Sequence, residues 1–195
     1  MTTAQPDDSV RACAARLIEI IADFKRDQDA PRLKNGLLLA TRPLVRRSDL
    51  LSLGTKRMAN HIDNSKYLYY DGELSMTLDE FPKGKLIPPH DHGIWEALVL
   101  CTGRLRHTSY LRADDGTVAG RAELKVGEDL EMNPGEIAMV VPPSDIHSFQ
   151  AVTDGTFVIT IVGGEYALRR HYYNTTENTY QVRAPRALQE SGALA

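Results

Sequence analysis

The stretch Gly84-KLIPP-His90-Asp91-His92-GIW-Glu96-ALVLCT-Gly103 decides the reading of this chain. On an extended strand, residues two apart point to the same face, with Cα atoms about 6–7 Å apart. Two imidazoles at that spacing can converge on one ion through bonds of roughly 2.0–2.1 Å. Glu96 poses a harder geometric problem. Four residues of straight strand carry it about 13 Å past His92, too far to share an ion. Sharing requires a bend, and Gly93 is the residue that permits one. With the bend the carboxylate joins the imidazoles as a ligand or base; without it, Glu96 stands outside them or on the surface.

Around this stretch the chain reads as short strands. Tyr67–Tyr70 and Glu73–Leu78 flank Asp71-Gly72, the strongest short hairpin signal, and Leu74, Met76 and Leu78 alternate with polar residues as in a half-buried strand. Trp95–Cys101, Leu105–Leu111, Ala122–Val126, Ile137–Val141 and Phe157–Val162 follow, with a turn at Asp114-Asp115-Gly116. Regular short strands without intervening helices predict an antiparallel sandwich or barrel of the jelly-roll group.

Ahead of the strands, Val10, Ala14, Leu17, Ile21 and Phe24 make one helical stripe, with Pro6 and Asp7 to Ser9 as start signals. A second helical stretch at Leu37–Val45 is interrupted by Pro43, and a short third one holds Asp49 to Leu53. The organisation expected is a helical cap over residues 1–66, a barrel over 67–173 and a polar tail over 174–195.

Composition narrows the partners. The chain has 195 residues, 42% hydrophobic and 25% charged, with a net charge of -3. That charge gives no basic field for a phosphate backbone, so nucleic acid is not an expected partner. No apolar run is long enough for a bilayer, and the acidic, polar N-terminus does not read as a signal peptide. Cys13 and Cys101 form no framework and read as small buried hydrophobes, so a reducing cytoplasm is the expected compartment.

The quoted stretch reproduces the first motif of the cupin superfamily: glycine, five residues, H-x-H, three residues, glutamate, six residues, glycine. Gly135-EIAMVVPPSDI-His147 resembles the second, with Ser144 where that motif has glycine and Ala151 where it has asparagine. The resemblance implies an all-β cupin (a double-stranded β-helix, jelly-roll barrel) with N-terminal helices, and His90, His92 and His147 as metal ligands with Glu96 beside them. Three or four N/O ligands and no thiolate suit Fe(II), while other divalent transition metals also satisfy such a set. His61, His107 and His171 lack motif context and read as surface or hydrogen-bonded histidines.

Pro88-Pro-His-Asp-His-Gly-Ile-Trp95, Asp145-Ile-His-Ser148 and Val162-Gly-Gly-Glu165 followed by Arg169-Arg170 look like the thiol dioxygenases, cysteine dioxygenase and its bacterial relatives acting on 3-mercaptopropionate. That resemblance implies mononuclear Fe(II), a small thiol substrate and O2. It also implies that Lys66 with Tyr67, and Arg169 or Arg170, meet the substrate carboxylate, for which an Arg fork is well shaped. Two positions depart from the family. Val158, Thr160 and Val162 replace its Ser–x–His–x–Tyr relay, and Glu96 restores a carboxylate that the family lacks.

Three functions fit the sequence. The first is an Fe(II) dioxygenase acting on a small, carboxylate-bearing substrate, as a monomer or homodimer. The second is a metal-dependent isomerase, lyase or hydrolase with Glu96 as ligand or base. The third is a non-catalytic module that uses the barrel as a ligand pocket.

Overall fold

Ser9 opens the first helix by accepting from Ala12 N through its Oγ at 3.1 Å, an N-cap of the ordinary kind. The computed structural model describes residues 7–57, 62 and 64–184; the expected start signal at Pro6, His61 and the last residues of the chain lie outside these. Helix α1 (Val10–Asp27) buries Leu17, Ile21 and Phe24, three positions of the apolar stripe. Helix α2 (Ala30–Val45) starts seven residues before the stretch read from sequence and runs through Pro43 without breaking. Asp29 caps it through Arg32 N at 2.9 Å. Pro43 sits in the last turn, so the missing N–H costs a single terminal hydrogen bond. A one-turn 3-10 helix at Leu50–Ser52 follows.

The strands are β1 (Thr55–Lys56), β2 (Asn64–Tyr70), β3 (Ser75–Phe81), β4 (Leu86–His90), β5 (Glu96–Thr102) and β6 (Leu105–Arg112). They continue as β7 (Leu124–Met132), β8 (Ile137–Val140), β9 (Ile146–Ala151), β10 (Thr156–Val162), β11 (Arg170–Asn174) and β12 (Thr179–Arg183). They form two six-stranded antiparallel sheets, β1-β2-β3-β10-β5-β8 and β12-β11-β4-β9-β6-β7.

Asp71 shapes the first hairpin. Its Oδ1 accepts from Glu73 N at 2.9 Å and Leu74 N at 2.8 Å, and Gly72 takes φ 91. The connection is four residues long rather than two, so β3 starts at Ser75.

Strand β4 was hidden by Pro88 and Pro89, because a proline gives the ladder no N–H and argues against a strand. Here the β4–β9 ladder is interrupted across those prolines, between Ile87 and His90. The Tyr-rich β11 and β12 pair with each other, and β11 pairs with β4 at Tyr172↔His90.

The middle strands of the first sheet, β3, β10 and β5, are buried on both faces, which alters the reading of β3. Met76 and Leu78 pack with Leu17, Leu37 and Trp95 on the helix side. Thr77 and Asp79, the polar positions of the alternation, are also buried, and they face the barrel interior. The helices cover the face that a half-buried strand would give to water. On β5 the same period turns Ala97, Val99 and Cys101 to the helices, and Leu98 and Leu100 inward. Glu96 lies in phase with the inward set. No helix among the described residues is long and apolar enough to cross a membrane.

Candidate metal centre

His90 ends β4 and stands opposite His147 in the β4–β9 register. The chain then turns sharply. Gly93 adopts φ 68, a conformation that disfavours any side chain, and a Cβ there would lie 3.1 Å from that of Ala167. Asp145 fixes the turn from the neighbouring loop: its Oδ2 accepts from His92 N at 3.0 Å and from Gly93 N at 2.8 Å. From the other side, Asp91 Oδ1 accepts from His171 N at 2.8 Å. Its Oδ2 accepts from Tyr173 at 3.0 Å and pairs with His171 Nδ1 at 2.6 Å. The middle residue of the H-x-H pair thus ties the turn to β11 while the histidines point inward.

His90, His92 and His147 are all buried, and one nitrogen from each lies within 4.8 Å of the others. His90 Nδ1 is 2.8 Å from the Pro88 carbonyl, so Nε2 is the nitrogen turned inward. His147 Nδ1 is 2.9 Å from His107 Nε2. His92 Nε2 and His147 Nε2 approach to 2.8 Å. Glu96 Oε1 stands 3.5 Å from His92 Nε2 and 3.4 Å from His147 Nε2. The bend at Gly93 therefore turns Glu96 in toward the histidines.

Electrostatics favour neutral His92 and His147, the form in which nitrogen offers a lone pair. Burial, then the charge of His90, holds both His92 and His147 well below the ordinary range. Burial pushes the Glu96 carboxyl up to about 7, against the Tyr166 hydrogen bond and the Arg170 charge, which pull it down. The donor set fits a divalent transition metal: three imidazoles, one carboxylate, and backbone or side-chain acceptors for the outer nitrogens of His90 and His147.

A cavity of about 290 Å³ opens from the histidines. Of the residues read from sequence as substrate contacts, Tyr67 and Arg170 line it. Lys66 and Arg169 do not: the Lys66 ammonium donates to the Leu51 carbonyl at 2.7 Å, and Arg169 is exposed. Arg170 is buried and leaves Nε without a partner; its Nη1 lies 3.3 Å from His92 Nδ1. Arg57 also lines the cavity, stacked over the Tyr67 ring at 4.9 Å and 3.8 Å from Asp79.

Asp79 gathers the hydroxyls of the inward face. Its carboxylate accepts from Ser65, from Thr77 at 2.7 Å and from Thr160 at 2.8 Å. Thr160 is one of the positions that departs from the thiol dioxygenase pattern, and Val158 and Val162 beside it are buried and apolar.

Sequence reasoning passed over Arg57, Asp79 and Tyr166, and read His107 as a surface or hydrogen-bonded histidine, of which the second holds. Asp79 was visible only as the polar phase of β3, and His107 only as a histidine on the inward phase of β6. Arg57 and Tyr166 carried no signal of their own.

No protein-family model matches the chain, and no curated protein matches it. Solved structures that it resembles include KdgF from a Halomonas species, at 16% identity over 52% of this chain and 80% of that one, TM-score 0.40. A cupin superfamily protein from Desulfitobacterium hafniense DCB-2 aligns at 18% identity over 62% and 91%, TM-score 0.41. A Klebsiella pneumoniae protein with a double-stranded β-helix domain aligns at 14% identity over 57% and 80%, TM-score 0.40. At such values the fold rests on strand order and the site on its own geometry. Two six-stranded antiparallel sheets enclosing three converging histidines, with two helices outside, give this chain the cupin fold.

Proposed function

We propose that the protein is a mononuclear non-heme iron dioxygenase that uses O2 on a small, carboxylate-bearing thiol or related substrate. The observation that carries this is the convergence of His90, His92, His147 and Glu96 at a cavity that also carries two guanidiniums. Fe(II) held there would supply the redox chemistry that dioxygen needs, which no side chain of the site supplies. For a thiol, R–SH and O2 give R–SO2⁻ and a proton, with both oxygen atoms ending on sulfur.

The chain's own residues bind and orient. Arg57 and Arg170 offer planar N–H forks to a carboxylate. Arg170 in particular is a buried cation without an ion-pair partner among the described residues, an arrangement that an anionic substrate would relieve. Tyr67 supports Arg57 from below. Phe149, Leu98 and Ile87 give the cavity apolar walls that exclude water.

A second reading has its own observation. Glu96 is held by Tyr166 with Oε1 toward the histidines, the position of a general base in a metal-dependent isomerase, lyase or hydrolase.

An oxygen electrode separates the two. Fe(II)-reconstituted protein is offered 3-mercaptopropionate, cysteine and a 1,3-diketone. Consumption of one O2 per substrate turned over supports the dioxygenase. No uptake with any of them, combined with metal-dependent turnover under nitrogen, would replace it with the second reading.

A further inference from the structure

The double glycine Gly163-Gly164 shapes the loop that carries Tyr166, two residues on. At Gly163 a Cβ would lie 2.2 Å from the Trp95 ring, and at Gly164, φ 147, it would lie 2.7 Å from Ile94 Cδ1. Only glycine lets the chain leaving β10 lie this close to residues 94 and 95. The loop is then pinned to the metal-side turn by Ala167 N, which donates to the His92 carbonyl at 3.0 Å. Between these two fixed points stands Tyr166.

Tyr166 has three partners at the site. Its phenol donates to Glu96 Oε2. Its ring lies 4.9 Å from that of His92, and the Arg170 guanidinium, whose Nη1 is 3.3 Å from His92 Nδ1, sits over the ring at 4.7 Å from the centroid. Glu96 in turn has Oε2 committed to the phenol and Oε1 facing His92 and His147. A carboxylate on β5 can rotate about its side-chain torsions; here one hydrogen bond selects the orientation. Tyr166 is half-buried at the cavity wall, and the carboxylate it holds is buried, where a hydrogen bond is stronger than in water.

We infer that Tyr166 is a positioning residue for the metal centre: by holding Oε2 it makes Glu96 present one oxygen, Oε1, to the ion. This deepens the reading of the site as a metal centre and rests on it. It also bears on the fourth protein group, since a carboxylate restricted to one oxygen leaves more of the metal's positions to substrate and O2 than one free to offer both.

The test uses Co(II) as the probe on the full chain, with affinity from competition titration and coordination from the visible d–d bands. Tyr166→Phe keeps the ring and its packing and deletes only the hydroxyl; thermal melts confirm that each variant is folded. Wild type binds one Co(II). Tyr166→Phe weakens binding by roughly 10–100-fold and changes the d–d spectrum. In a Glu96→Ala background, adding Tyr166→Phe changes affinity by less than about twofold, because the coupling partner is gone. A Tyr166→Phe protein with wild-type affinity and spectrum would overturn the inference, as would an equal loss in the Glu96→Ala background. A wild type that binds no Co(II) would instead remove the metal centre itself.

Discussion

His107 on β6 and His147 on β9 meet nitrogen to nitrogen, Nε2 to Nδ1 at 2.9 Å, inside the barrel. If His147 turns a lone pair inward from Nε2, its proton sits on Nδ1 and donates to His107. The His107 proton then sits on its own Nδ1, the buried atom that has no partner. An unsatisfied buried N–H costs about 1–3 kcal/mol, and here it accompanies the fixed tautomer of a metal ligand. His107→Leu should weaken metal binding by roughly 10–100-fold, read by competition with a zinc-chelating dye. His107→Gln, which can still offer an acceptor, should recover much of that loss.

The same burial makes metal-free protein acid-sensitive. Burial, then the Lys34 charge, lowers His107 from 6.5 to about 4. Between those values the unfolded chain binds a proton that the folded chain refuses, so stability is present above about pH 6.5 and lost toward pH 4. The loss from His107 alone is on the order of 3 kcal/mol at the lower limit. His92 and His147 shift in the same direction. Thermal melts of chelator-treated protein should show Tm falling steadily from pH 7 to pH 5. A flat Tm over that range would contradict the buried, neutral histidines.

Spacing within one strand and its turn was legible in the sequence. His90, His92, Gly93 and Glu96 are close neighbours along the chain, so a period of two residues and one glycine bend determine where they go. His107 and Asp79 reach the site through strand pairings with residues far along the chain, such as Thr160↔Thr77 and Ser109↔His147, and Arg57 and Tyr166 reach it from segments just beyond strand ends. Local pattern does not encode which distant strand becomes a neighbour. Lys66 illustrates the limit: it adjoins the lining residue Tyr67, but the strand period turns it to the opposite face. Strand β4 was lost to its prolines, and the inward polar face of β3 was obscured because two helices cover the other side.

Asp145 holds the metal-side turn by accepting both the His92 and Gly93 amides. Hydrogen bonds to a charged group are worth about 1.5–3 kcal/mol each. Asp145→Ala leaves two amide hydrogens beside a buried carboxylate site unpartnered, so it should lower unfolding free energy by about 2–4 kcal/mol, measured by urea denaturation of metal-free protein. Metal affinity should fall with it, because His92 loses its backbone anchor. A variant as stable as wild type would show that the turn is held by other contacts.

Metal content decides the central claim most directly. Protein exchanged into a single divalent metal, freed of loosely held ions and analysed by plasma emission should carry one ion per wild-type chain. His147→Ala should carry none while keeping a folded barrel by circular dichroism, since the His90, His92 and His147 nitrogens converge within 4.8 Å. One ion per chain retained by folded His147→Ala, or a wild-type chain that takes up no ion, would contradict the account.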